Sequence, residues 1–215
     1  MSNLVWQSQK IVTGAGLIDL GVKFSRKNKN LKYLDIGCGT GEITLEIAKK
    51  FKIKKENVLG IEVENSFDMD EVKSPDLNIK YYKGDVLPDT KIKYDLITIF
   101  QVLHHVKNVE QMIQDVVKNY LEDNGILVIR EHNVKTSNER DIIDIQHHLY
   151  GKVIQKNVYP DFDKTFYSKY FLRSKLKSLI IKSVDENEYT ISSIGYNDFK
   201  SVDKIYYEAF KKRPI

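Results

Sequence analysis

The chain has 215 residues, a single cysteine and a net charge of +4, from 34 basic against 30 acidic side chains. That length allows one sizeable core, so a single domain over 1–215 is expected. A lone Cys38 excludes an intrachain disulfide, no Cys-His cluster offers a zinc site, and no apolar run approaches the roughly 18 residues of a membrane span. The expectations are therefore a cytoplasmic domain with no metal and no membrane partner, whose mild basic excess permits an anionic partner without requiring one.

In chain order, residues 1–24 read as an N-terminal helical region, apolar at Trp6, Ile11, Val12, Leu17 and Ile18 and interrupted by Gly14 and Gly16. A strand at 31–36 runs into the turn Gly37-Cys38-Gly39-Thr40-Gly41, which opens a helix over 41–52. Strands follow at 57–63, 79–83 and 94–100. A helix over 108–121 carries Val109, Met112, Ile113, Val116, Val117 and Tyr120 at helical spacing. Asp123-Asn124-Gly125 is a turn signal before a fifth strand at 126–130. Helices are expected near 137–150 and 167–180, and 188–211 reads as a terminal β-hairpin.

The glycine turn carries the chemistry. Glycine has no Cβ, tolerates positive φ and leaves bare backbone for a ligand, while amides at the helix start favour a carboxylate or phosphate. Asp35 precedes the turn, where it can order the loop or meet an ammonium group. Glu62, at the tip of the second strand and 25 positions after Gly37, has the place of a carboxylate that accepts both hydroxyls of a ribose, with Glu64 as rival. Asp85 closes the third strand and Gln101 the fourth. In open α/β sheets, ligands bind beyond the carboxyl ends of the strands, so these residues share one crevice.

This ordered set, with Leu103-His104-His105 after the fourth strand, resembles the class I S-adenosylmethionine-dependent methyltransferases over about residues 30–135, in particular the type 11-like group. The resemblance implies a Rossmann-like α/β fold: a seven-stranded, mostly parallel sheet with helices on both faces and a terminal antiparallel β-hairpin. It implies S-adenosylmethionine as cofactor, with Asp35, Gly37, Gly39 and Gly41 around its methionine part and Glu62 on its ribose. Asp85 and Val86 would meet the adenine, and Gln101 would line the floor near the sulfonium. The spacing Gly-x-Gly-x-Gly also departs from the Gly-x-Gly-x-x-Gly of nicotinamide enzymes.

The acceptor is less legible. Methyl transfer from a sulfonium is an in-line displacement, and alignment supplies much of the acceleration. His132, off the fifth strand, is the first choice for a substrate-facing catalytic group and His104 the second. Asp144 and His148, at i and i+4, form either a base with its carboxylate or a surface pair. The Asn/Asp-Pro-Pro-Tyr/Phe run of DNA amino-methylating enzymes is absent, and the only cysteine lies in the glycine turn, away from the role it has in cytosine-C5 enzymes. RNA, including a cap, and small molecules both remain as acceptors, and 136–170 is the expected substrate lid. Tyrosines, phenylalanines and lysines between 150 and 177 fit either a base-plus-phosphate surface or an ordinary amphipathic helix. The alternative to an enzyme is an inactive cofactor-binding or nucleic-acid-binding module.

Overall fold

The computed structural model describes residues 24, 30–63, 78–82, 87, 91–149, 166–184, 189–194 and 205–212. Its elements are β1 (Tyr33–Ile36), α1 (Glu42–Phe51), β2 (Val58–Val63), β3 (Asn78–Tyr82), β4 (Tyr94–Phe100), α2 (Val109–Asp115), β5 (Leu121–His132), α3 (Ser137–Leu149), α4 (Arg173–Ser183), β6 (Tyr189–Ile194) and β7 (Ile205–Lys212). The sheet order is β3-β2-β1-β4-β5-β7-β6. The first five strands in that order run parallel; β7 is antiparallel to β5, and β6 is antiparallel to β7. Residues 195–204, which join β6 to β7, lie outside the described residues, as do Asp85, Val86, Glu64, nearly all of the N-terminal region and 150–165 of the expected lid.

Alternation along the strands divides the core into two layers. Leu34, Ile36, Ile97, Ile99, Leu127 and Ile129 face one way, onto α2 and α4. Tyr33, Leu96, Phe100, Ile126 and Val128 face the other way, onto Ile47 and Ala48 of α1. Successive strand side chains point to opposite faces, so near-continuous apolar runs are what a sheet covered on both sides needs. Helix α1 buries Thr44, Ile47 and Ala48, which lie at i, i+3 and i+4, and ends at Lys52 in the left-handed region, whose N–H bonds back to Ala48 and Lys49.

Three boundaries differ from the sequence reading. Helix α2 starts at the Asn108 cap, which accepts from the Gln111 amide, but its last turn, Val116–Tyr120, widens to a π-turn. Strand pairing then begins at Leu121, and Glu122, Asp123 and Asn124 bulge out exposed before the ladder resumes at Ile126. Gly125 is required there, because a Cβ would lie 2.7 Å from the Glu122 carbonyl oxygen. The helix expected from 167 begins at Arg173 instead. Residues 166–172 are drawn out of helical geometry by tertiary partners: the Lys169 amide donates to the His104 carbonyl at 2.7 Å, and Phe171 bridges to Asn133.

Candidate active site

Both halves of the site lie at the carboxyl ends of the parallel strands. The first is the glycine turn. Gly37, Gly39 and Gly41 all have positive φ, at 75°, 55° and 79°. Gly37 is obligatory for a second reason: a Cβ there would sit 2.0 Å from Val102 Cγ2. The bare backbone at Gly37 thus admits the β4 exit segment, which locks the turn against the neighbouring strand end. The Gly37 and Cys38 amides both donate to the Ile61 carbonyl, at 2.8 and 3.1 Å. Gly41 is the N-cap of α1, and no side chain caps that helix.

Asp35 is buried beneath the turn. Thr98 Oγ1 donates to its Oδ1 at 2.6 Å, and Thr44 Oγ1 to its Oδ2 at 2.5 Å. Tyr33 Oη in turn lies 2.8 Å from Thr98 Oγ1. Burial raises the Asp35 carboxyl to about 6, since the two threonine bonds only partly offset the lost solvation. Burial likewise pushes the Cys38 thiol up, with Asp35 and Glu62 adding to it, so this cysteine is an unreactive packing group. Glu62 crosses from the end of β2 to the turn: its Oε2 accepts from the Gly39 amide at 2.7 Å and its Oε1 from the Val63 amide at 2.8 Å. An ionised carboxylate has about four acceptor sites, the number a diol bonded alongside two amides would draw on.

The second half is a cluster of histidines drawn from three separate segments of the chain. His104, fully buried after β4, donates from Nδ1 to Glu131 Oε1 at 2.7 Å. Glu131, fully buried near the end of β5, also accepts from the His132 amide at 2.8 Å and the His104 amide at 3.3 Å. Burial works to raise this carboxyl, but the imidazoles of His104 and His132 and these bonds outweigh it and hold it down at about 2. From α3, His147 brings Nε2 to 3.2 Å from His104 Nε2, while its Nδ1 lies 3.0 Å from the Ile143 carbonyl oxygen. Burial and its histidine neighbours push His147 down to about 3, so it is neutral near pH 7. His105, exposed, donates from Nδ1 to the Tyr167 carbonyl at 2.8 Å. Tyr170 stacks on His104 at 5.5 Å and donates to Asp144 Oδ1 at 2.7 Å.

Of the residues singled out by sequence, Asp35, Gly37, Gly39, Gly41 and Glu62 are brought together at the turn. Gln101 links this half to the next: it has a positive φ of 55°, rare for a side-chain-bearing residue, and its Nε2 lies 3.4 Å from His132 Nε2. His104 and His132 sit in the cluster with ring centroids 4.8 Å apart. Asp85 and Val86 lie outside the described residues. The Asp144 carboxylate accepts from Ser168 and Tyr170, and it is His147 of that helix that reaches His104. Sequence reasoning gave no role to His147 or to the pivotal Glu131. The available signal was that all five histidines fall between 104 and 148, on segments that leave adjacent strands. In the aromatic group, Phe171 belongs to the core, while Phe166 and Tyr170 pack on the histidine rings.

A family model described as a methyltransferase domain matches residues 13–179, more than half of the chain. Pavine N-methyltransferase of Thalictrum flavum subsp. glaucum is 29% identical over 119 residues, covering 54% of this chain and 33% of that protein. The ubiquinone biosynthesis O-methyltransferase of Rickettsia canadensis (strain McKiel) is 27% identical over 182 residues, covering 81% of this chain and 72% of that protein. Pavine N-methyltransferase and two other curated relatives are spanned over only 33%, 43% and 28% of their own length. In fold, the chain superimposes on a SAM-dependent methyltransferase from Archaeoglobus fulgidus with a TM-score of 0.57 at 18% identity, covering 99% of this chain and 100% of that one. S-adenosylmethionine fits the residues present: an uncapped helix start behind three left-handed glycines, and a carboxylate held over them by the Gly39 amide. Sequence motifs, sheet order and the family match agree, and the chain belongs to the methyltransferase-domain family, with S-adenosylmethionine as its cofactor.

Proposed function

We propose that this chain transfers the methyl group of S-adenosylmethionine to an oxygen or nitrogen of a small molecule. The observation that carries the reading is that the glycine turn and the histidine cluster open at the same end of the same sheet, joined through Gln101 and Val102. The cofactor's carboxylate and ammonium ends belong with the turn and the start of α1, and its ribose with Glu62. The acceptor approaches from the histidine side. A lone pair on its oxygen or nitrogen forms the new bond to the methyl carbon. The carbon–sulfur bond breaks with its electron pair going to sulfur, and where the accepting atom carries a proton, as in a phenol or secondary amine, that proton passes to His132. Glu131 fixes the His104 imidazole through Nδ1 and holds the His132 backbone through its amide. Small acceptors are favoured because the curated relatives are named for pavine, coclaurine and ubiquinone chemistry.

Labelled-methyl transfer to panels of phenols, secondary and tertiary amines, and total RNA tests the reading. Transfer to a phenol or amine, insensitive to salt, is expected. Transfer confined to RNA and falling steeply with added salt, as counterion release requires, overturns it. For the proton route, His132→Ala is expected to lower turnover by roughly 10²–10⁴-fold with cofactor affinity unchanged. Full turnover in that variant removes His132 and leaves alignment as the catalytic device.

A further inference from the structure

The geometry points to a site for one divalent first-row transition-metal ion, of the zinc class, on the Nε2 atoms of His104, His105 and His147. One ligand nitrogen from each of these residues lies within 4.8 Å of the other two. The tautomers follow from the hydrogen bonds. A carboxylate and a carbonyl oxygen only accept, so His104 Nδ1, facing Glu131, carries its proton, and so does His105 Nδ1, facing the Tyr167 carbonyl. His147 Nδ1 faces the Ile143 carbonyl and the Tyr170 hydroxyl, which itself donates to Asp144, so it too is the protonated nitrogen. With those protons on Nδ1, the nitrogen that each ring has left to offer an ion is Nε2.

Two of those nitrogens face each other: His104 Nε2 and His147 Nε2 are 3.2 Å apart, a separation at which the pair shares either a proton or a cation. A proton would serve this one pair and leave the approach of His105 without a purpose. A tetrahedral ion with metal–nitrogen bonds of about 2.0–2.1 Å sets its ligand nitrogens about 3.3–3.4 Å apart, close to the 3.2 Å between His104 and His147, and takes His105 as well once its nitrogen closes in from within 4.8 Å. The outer bonds also match the pattern of metal-ligating histidines, whose second nitrogen donates to a carboxylate or backbone carbonyl. Glu131, His104 and His132 form a rival trio, but both Glu131 oxygens are engaged in orienting His104 and His132. Imidazole nitrogen suits Zn²⁺, Co²⁺ and Ni²⁺ and not Mg²⁺ or Ca²⁺. The exposed edge of His105 gives the ion an entry side.

This site deepens the proposed function, because a bound ion would stand beside the acceptor, but ion binding itself is independent of that reading. The test takes the full chain, purified without a histidine tag, and titrates Zn²⁺ and Co²⁺ against wild type, His147→Ala and His148→Ala. Bound metal is counted by elemental analysis, the d–d absorption of Co²⁺ is recorded, and circular dichroism verifies folding. One ion per folded chain with a four-coordinate Co²⁺ spectrum is expected, weakened at least 100-fold in His147→Ala and retained in His148→Ala, one position along the same helix. Glu131→Gln, which keeps an acceptor for Nδ1, is expected to weaken the ion by roughly 10–100-fold. No stoichiometric ion in wild type, or equal binding in a folded His147→Ala, overturns the site. Labelled-methyl transfer run on the same preparations separates the two claims: transfer without an ion removes the metal site and leaves the proposed function standing.

Discussion

Asp35 and Glu131 are carboxylates on neighbouring parts of one crevice, exposed by only 2% and 0%, yet burial has opposite outcomes for them. Asp35 is met by two neutral hydroxyls and is raised to about 6. Glu131 is met by imidazoles and backbone amides and is held at about 2. The desolvation penalty is common to both; what differs is the neighbours, since Glu62 adds a like charge that raises Asp35 further while His104 and His132 lower Glu131. In the cofactor half the buried carboxylate thus braces a backbone turn through hydroxyls, and in the histidine half one carboxylate holds the His104 ring and the His132 backbone. Among the described residues no helix is long and apolar enough to cross a membrane.

Removing the Glu131 carboxylate should break the contrast most severely. Glu131→Ala leaves His104 buried without the partner of its Nδ1 and the His132 amide without an acceptor. Losing one member of such a buried pair costs about 3–5 kcal/mol, which urea denaturation would read directly. A loss below about 1 kcal/mol, the range of surface pairs, would show that the imidazoles do not depend on this carboxylate.

The Asp35 side is sharpened by pH. Its folded value of about 6 lies above the unfolded value of about 4, so between those limits the folded chain binds more protons than the unfolded one. Stability from this group therefore falls as pH rises from about 4 to 6 and is level above that. The two-unit shift corresponds to on the order of 3 kcal/mol. The unfolding free energy of wild type minus that of Asp35→Asn isolates the effect, because the other titrations cancel. A difference that stays flat or rises across this window would mean that the threonine bonds outweigh burial.

Glu62 lies on the cofactor side and should answer in affinity more than in stability. Glu62→Ala removes the acceptor of the Gly39 amide along with any bond to the ribose. Loss of a charge-assisted bond costs about 1.5–3 kcal/mol, roughly ten- to a hundred-fold in the cofactor dissociation constant. Calorimetry with S-adenosylmethionine reads it, and an unchanged constant would take Glu62 out of the site.

The two halves also differ in how far sequence revealed them. Everything that shapes the turn is local: Asp35 to Thr44 is one strand–turn–helix unit, and Glu62 follows at the interval of one β–α–β unit. The mostly parallel sheet with helices on both faces is what the resemblance carried by these motifs implies. The histidine half is assembled from residues 104–105, 131–132, 147 and 166–170, whose proximity exists only once β4 and β5 pair and α3 folds back. The delayed start of α4 has the same origin. Residues 167–171 have helical spacing, but the Lys169 amide and Phe171 find partners on the β4 and β5 exits that helical geometry would deny them.

The smallest expected effect tests how much of the histidine half is hydrogen bonding and how much is ring packing. The Tyr170 ring stacks on His104 and His147, at 5.5 and 6.1 Å between centroids, while its hydroxyl bonds Asp144 and lies 3.0 Å from His147 Nδ1. Tyr170→Phe keeps the stacking and deletes the hydroxyl. Because the hydroxyl is only half buried and Asp144 retains Ser168 as a donor, the cost should be that of one ordinary hydrogen bond, about 0.5–1.5 kcal/mol. The Ile143 carbonyl still holds His147 in the same tautomer, so cofactor affinity should not change and the acceptor KM should rise by less than about tenfold, the equivalent of 1.4 kcal/mol. Chemical denaturation together with steady-state kinetics would resolve the two. A loss well above 2 kcal/mol, or a shift in cofactor affinity, would mean that the Asp144–Tyr170–His147 chain supports the cofactor side as well, and that the two halves are less separate than their carboxylates imply.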